Sequence, residues 1–159
     1  MPPSALGDNM LLHILATDSD WVLTLARIVL GIIFFAHGAQ KVFGWFGGPG
    51  LRKTLHHMTE SLGLPPIMAL AAVGAEFAGG VALILGFLGR ISALSIVITM
   101  LAAIFMVHGK YGLFMNWFGD RKGHGIEYHL LAIALAIVII ANGSGAFSLD
   151  RLLSSRIGA

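Results

Sequence analysis

Cysteine is absent from this chain of 159 residues. That excludes disulfides, thiol redox chemistry, thiolate metal sites and iron–sulfur ligation by its own side chains. Charge is scarce too. Asp, Glu, Lys and Arg make up 11% of the residues, against about a quarter in an ordinary soluble domain. The formal net charge is only +2, and no basic run forms a surface suited to nucleic acid, so no nucleic-acid partner is expected. Residues 1–20 carry Asp8, Asp18 and Asp20 but no Lys or Arg, a pattern that predicts no cleavable signal peptide. What is abundant is apolar surface, at 57% of residues. The expectation is an all-α integral membrane protein, a four-helix bundle whose first partner is the lipid bilayer.

The stretch from Leu64 to Leu88 organises this reading. From Ile67 to Leu88 it would rise about 33 Å as a helix, one hydrocarbon thickness, yet Glu76 lies near its middle. A carboxylate at that depth must face protein, pair or be protonated. Ala72, Gly79 and Gly80 lie on the face of Glu76 and allow a second helix to approach closely. The other expected spans are 21–38, 91–107 and 127–141. On the first, Arg27, Gly31, Phe34 and Gly38 share one face. Arg27 lies about two turns in, and an Arg27–Glu76 pair between the first two spans is expected. Between those spans, Leu51, Leu55, Met58 and Leu62 recur at helical spacing among Arg52, Lys53, His56, His57 and Glu60. That pattern predicts a short amphipathic helix on the membrane surface. The domain boundaries follow as an N-terminal tail over 1–20, a membrane domain over 21–152 and a C-terminal tail over 153–159.

Four antiparallel spans collect His37, Gln40, Lys41, His108, Glu127 and His129 at one end, with the aromatic loops around Trp45 and Trp117. The competing explanations are plain ones. Histidines at span ends sit at headgroup level, and aromatics such as Trp117 anchor the interface. Glu127 and His129 point about 160° apart, so they do not readily share an ion. His108 lies opposite the Ser92–Ser95–Thr99 face of its helix, which argues against an inward role. No metal site is expected. Positive residues gather at the histidine end, which would place that end in the cytoplasm.

The ordered set of short motifs carries a resemblance. It comprises Arg27-Ile28-Val29-Leu30-Gly31, His37-Gly38-Ala39-Gln40-Lys41, Glu76 followed by Gly79-Gly80, and His108. Phe114-Met115-Asn116-Trp117, Gly125-Ile126-Glu127-Tyr128 and the closing Gly143 to Asp150 complete it. The chain resembles the DoxX family of small four-helix membrane proteins of bacteria and archaea, over nearly all of Arg27 to Leu152. The resemblance implies a multi-pass protein of the cell inner membrane. It further implies quinone-linked redox or oxidative-stress chemistry, in some relatives as a subunit of a thiosulfate:quinone oxidoreductase. On that reading Glu76, His37 and Glu127 are the catalytic candidates. Arg27, Gln40, Lys41, His108 and Trp117 would bind substrate, with Lys41 attracting an anion. The chain has no cofactor motif of its own, so the cofactor would be a bound quinone. Electrons would pass directly between substrates or through a membrane or peripheral redox partner subunit, and a homo-oligomer stays open. The alternative is a non-catalytic scaffold or lipid-binding protein of a larger complex, with Arg27–Glu76 as a structural lock.

Overall fold

A computed structural model describes residues 4–157, with side chains from Met10 onward. No strand occurs among the described residues. Seven α-helices follow one another: α1 Ser4–Leu15, α2 Trp21–Phe43, α3 Gly50–His56, α4 Pro66–Leu85, α5 Gly89–Ala103, α6 Glu127–Asn142 and α7 Leu149–Ile157. Helix α5 runs on through a π-turn at Ile104–His108 and a final 3₁₀ turn to Tyr111. Helix α3 likewise continues into a π-turn at His57–Ser61. Among the described residues, three helical runs are long and apolar enough to cross a membrane, Trp21–Phe43, Pro66–Leu85 and Gly89–Tyr111. Helix α6 is apolar but has 16 residues, about 24 Å, short of a full hydrocarbon thickness.

Helix α2 packs along α4, α4 along α5, α5 along α6, and α6 returns to α2. Leu30, Phe34, Leu83, Ile96, Met100, Ala136 and Ile139 fill the space between them. The α2–α4 contact is the closest, and glycine makes it so. A Cβ on Gly31 would meet the backbone of Ile84, one on Gly80 that of Phe35, and one on Gly38 that of Phe77. The expected face of Arg27, Gly31, Phe34 and Gly38 is therefore the one that α2 buries. The small residues around Glu76 divide their work, with Gly80 against α2 and Gly79 against Ser95 of α5. Gly38→Leu has no room at Phe77 and is expected to lower stability by about 3 kcal/mol or more. Gly74→Ala, with open space around its Cβ, should be neutral or slightly stabilising. Thermal unfolding in detergent compares the two directly.

The end of the molecule opposite Lys41 and His108 is closed by capping contacts. Asp20 accepts from the Val22 amide at 2.7 Å and starts α2. Asp150, itself buried, accepts from the amides of Leu88 (2.7 Å) and Gly89 (2.9 Å) and from the Ser144 hydroxyl (2.6 Å). It thus caps the start of α5. Arg90 donates to the Ile140 and Ala141 carbonyls at the end of α6 and, at 3.0 Å, to Ala16 beyond α1. Guanidinium groups at carboxyl ends of helices satisfy carbonyls that have no partner within the helix and oppose the helix dipole favourably. Helices α1 and α7 pack on each other over this end. Helix α1 lies in the stretch expected as an N-terminal tail, and α7 straddles the expected boundary between the membrane domain and the C-terminal tail.

Candidate functional site

The tight turn between α4 and α5 holds those two helices together at the capped end. Toward the other end they diverge, and a cavity of about 770 Å³ opens between them. From α4 it takes residues between Met68 and Glu76, and from α5 residues between Ser95 and His108. Helix α3 and its π-turn form the roof with Lys53, Thr54, His57 and Met58, while Gln40 and Lys41 close the side from α2. Apolar groups dominate the wall, among them Ala72, Ala75, Ile98, Ala102 and Val107. Met68 and Ile98 are exposed, so the slot between α4 and α5 faces outward, where acyl chains would lie.

At the inner end of the cavity lies an ion pair. The Lys41 Nζ sits 2.5 Å from both carboxylate oxygens of Glu76, donating to Oε1. Glu76 is 5% exposed and Lys41 31%, so the carboxylate belongs to the interior and the ammonium bridges from it to the cavity. The expected Arg27–Glu76 pair does not form. Helices α2 and α4 run antiparallel in a register that sets Gly31 beside Ile84 and Gly38 beside Phe77. One further turn places Arg27 level with Leu88, about 18 Å along the axis from Glu76. Arg27 is fully buried there and donates to the carbonyls of Leu83, Ile84 (2.9 Å) and Phe147 (2.6 Å). It ties the end of α4 to the exit segment rather than binding a ligand. Lys41, expected as a free positive charge for an anion, is neutralised by Glu76.

His108 shows why helical spacing misplaced one residue. An unbroken α-helix would hold it about 180° from Thr99. The π-turn at Ile104–His108 adds a residue to the turn, and His108 swings toward the Ala102–Ala103 side, where it lines the cavity together with Ser95 and Thr99. Its Nδ1 lies 2.9 Å from the His124 carbonyl oxygen, and its ring is 4.3 Å from that of buried His129. Both π-turns among the described residues, at 57–61 and 104–108, therefore border this cavity. Wide turns of this kind gather at functional sites.

The other candidates lie off the cavity. His37 is exposed on α2, its ring 5.8 Å from Tyr128. Glu127 accepts from the Met115 amide at 3.1 Å and fastens the aromatic loop to the start of α6. Trp117 is 75% exposed in that loop. Of the eight residues singled out by sequence, Gln40, Lys41, Glu76 and His108 meet at one cavity. No cluster of three or more His, Cys, Asp or Glu capable of holding a metal occurs among the described residues. Sequence reasoning missed the roof residues Thr54 and His57. The i, i+4 apolar spacing of 51–62 was the only available sign of the roof.

A bundle of apolar helices, sealed at one end and hollowed at the other around a buried ion pair, defines a multi-pass helical membrane protein with a cavity open to the lipid side. The chain belongs to the DoxX family, whose model matches residues 22–109. It is 32% identical to the inner membrane protein YqjF of Escherichia coli (strain K12) over 132 residues, 83% of this chain and 92% of that one. It is 31% identical to CatD of Bacillus subtilis (strain 168), whose name carries a provisional oxidoreductase assignment, over 79% of this chain and 82% of that one. A second E. coli inner membrane protein, YphA, is 32% identical over 82% of this chain and 89% of its own. No solved structure matches the chain.

Proposed function

We propose that this protein is the inner-membrane subunit of a quinone-linked redox system, and that the cavity between α4 and α5 is its quinone site. In this reading the four apolar helices span the bilayer as a bundle, with α3 at the headgroup level as the roof. The observation that carries it is the cavity itself: an apolar slot about 770 Å³ in volume, open toward lipid, that ends on a hydrogen-bonding ion pair and is bordered by both π-turns. Sites of this size suit a ring with a few tail units, held by apolar walls and oriented by few polar groups. Gln40 and Lys41 offer donors to a quinone carbonyl, and Glu76 and His108 are placed to exchange the protons that accompany its reduction. Three of the wall residues are methionines, Met58, Met68 and Met106, whose flexible side chains adapt to ligands of differing outline. Electrons come from a partner subunit or a small reduced solute. Thiosulfate is the specific case that the family resemblance implies, and the oxidoreductase name of CatD supports the redox class.

Photolabelling with an azido-ubiquinone in lipid nanodiscs tests the site. Labelled peptides are expected from Met68–Glu76 and Ser95–His108. Lys41→Ala should weaken binding about tenfold, roughly 1.4 kcal/mol. The cavity-filling pair Ala72→Phe and Ala102→Phe should abolish labelling. His37→Ala and Trp117→Ala should leave binding unchanged, since neither lines the cavity. Labelling that persists in the filled variant would overturn the proposal. Recovery of phospholipid alone, with no quinone bound, would favour the scaffold reading.

A further inference from the structure

The polar side chains by which α5 lines the cavity have already used their hydrogens. Ser95 Oγ donates to the Ser92 carbonyl at 2.8 Å, and Thr99 Oγ1 to that of Ser95 at 2.9 Å. A hydroxyl carries one hydrogen and a carbonyl can only accept, so both side chains offer the cavity lone pairs alone. His108 is in the same position. Its Nδ1 lies 2.9 Å from the His124 carbonyl oxygen and must carry the hydrogen there, which leaves Nε2 of the neutral ring as an acceptor. In the roof, Thr54 Oγ1 donates to the Gly50 carbonyl at 2.9 Å. At the inner end, Glu76 Oε2 is buried and in ion-pair contact with Lys41, yet it accepts no hydrogen bond among the described residues. These cavity-lining groups of α3, α4 and α5 therefore present acceptors only. Donors come from α2, at Gln40 and Lys41, and from the roof, at Lys53 and His57. Gln40 is turned to the Phe46 carbonyl at 3.4 Å and Lys41 to Glu76.

A wall of acceptors discriminates among apolar ligands by what their heads can give. A quinone has only carbonyl oxygens. Against Ser95, Thr99 or His108 it sets lone pair against lone pair, unless it draws a hydrogen away from a helix carbonyl. A phenol or a hydroquinone brings a hydroxyl hydrogen to the same place, and its oxygen still accepts from Gln40 or Lys41. We propose that the α5 wall selects a hydrogen-bond-donating head, so that the cavity holds the hydroxyl-bearing, reduced form of its ring ligand more tightly than the quinone. Ser95, Thr99 and His108 are then its specificity residues. Helical spacing sets the first two one turn apart, and the π-turn adds the third to their side. The hydroquinone identity rests on the quinone reading of the cavity, whereas the preference for a donor does not. A tenfold preference for the reduced form raises the midpoint potential of the bound couple by about 30 mV.

Redox-inert probes test the donor by itself. A radiolabelled long-chain para-alkylphenol and its methyl ether share ring, tail and oxygen, but only the phenol has a hydrogen to give. Their retention by protein-bearing and by empty nanodiscs is compared at equal mole fraction in lipid. The phenol is expected to bind at least about tenfold more tightly, as a site that hydrogen-bonds a hydroxyl rejects the analogue lacking it. Combining Ser95→Ala, Thr99→Val and His108→Phe should bring the gap below about threefold by weakening the phenol and not the ether. Should that variant fail to accumulate, the near-isosteric pair Ser95→Ala and Thr99→Val should narrow the gap by at least about twofold. Equal binding of phenol and ether, no retention of the phenol, or a gap untouched by the variants overturns the acceptor wall. Azido-ubiquinone labelling alongside equal binding leaves the quinone reading standing. A phenol preference in protein that takes no label upholds the wall and overturns that reading. In protein that shows both, redox titration of the bound quinone should find its potential raised, and an unraised potential overturns the preference for the reduced form.

Discussion

Arg27→Ala is expected to cost about 3–5 kcal/mol, the largest single-residue effect in the molecule. The guanidinium is fully buried and holds three carbonyl oxygens, those of Leu83, Ile84 and Phe147. Each hydrogen bond to a charged group contributes about 1.5–3 kcal/mol, and its loss leaves a buried carbonyl unsatisfied. Alanine would also leave a cavity among α2, α4 and the exit segment. Arg27→Lys should recover only part of the loss, because one ammonium cannot reproduce a planar fork aimed at carbonyls from two segments. Chemical denaturation in detergent gives the magnitude. Combining Arg27→Ala with Glu76→Leu should give additive losses, within about 0.5 kcal/mol, because the two residues share no partner. A partial rescue in the double variant would revive direct pairing and contradict the register of α2 on α4.

The second large effect belongs to the true partner. Lys41→Met leaves the Glu76 carboxylate interior and without its counter-charge, and about 2–4 kcal/mol of stability should be lost. That lies below the ~3–5 kcal/mol typical of a fully buried pair because Lys41 keeps 31% exposure. Glu76→Leu added to Lys41→Met should recover most of the loss, since two apolar side chains replace both charges at once. A double variant no more stable than Lys41→Met would show that the pair is not the interaction that matters. Function separates from stability here. Glu76→Gln keeps the volume and a hydrogen-bond acceptor, so it should fold, and if the cavity is a quinone site it should still bind quinone while losing proton exchange.

Much of this could be read before any coordinates. Gly31, Phe34 and Gly38 betrayed the buried face of α2 because helical spacing puts them in line with Arg27. Glu76 had to face inward, since hydrocarbon does not tolerate a free carboxylate. What stayed hidden depended on register and on local departures from 3.6 residues per turn. Whether Arg27 or Lys41 reaches Glu76 is decided by how far α2 slides along α4, and that is set by which glycines meet which phenylalanines. The rotation of His108 onto the cavity depends on one extra residue in a π-turn, which leaves no mark in composition. Residues 4–15 and the polar–apolar stretch 149–157 were too short to read as elements alone, and they gain their place from each other.

The slot between Met68 and Ile98 has a consequence for how binding is to be expressed. A ligand that enters through it comes from the plane of the bilayer, where it is already dissolved. Occupancy then follows the mole fraction of ligand in lipid rather than its concentration in water. Two ligands with the same head and different tails would differ widely in apparent aqueous affinity through partitioning alone, while their affinities per mole of lipid converge. Diluting the membrane with inert phospholipid would empty the site at constant total ligand, yet leave its occupancy unchanged at constant free aqueous ligand.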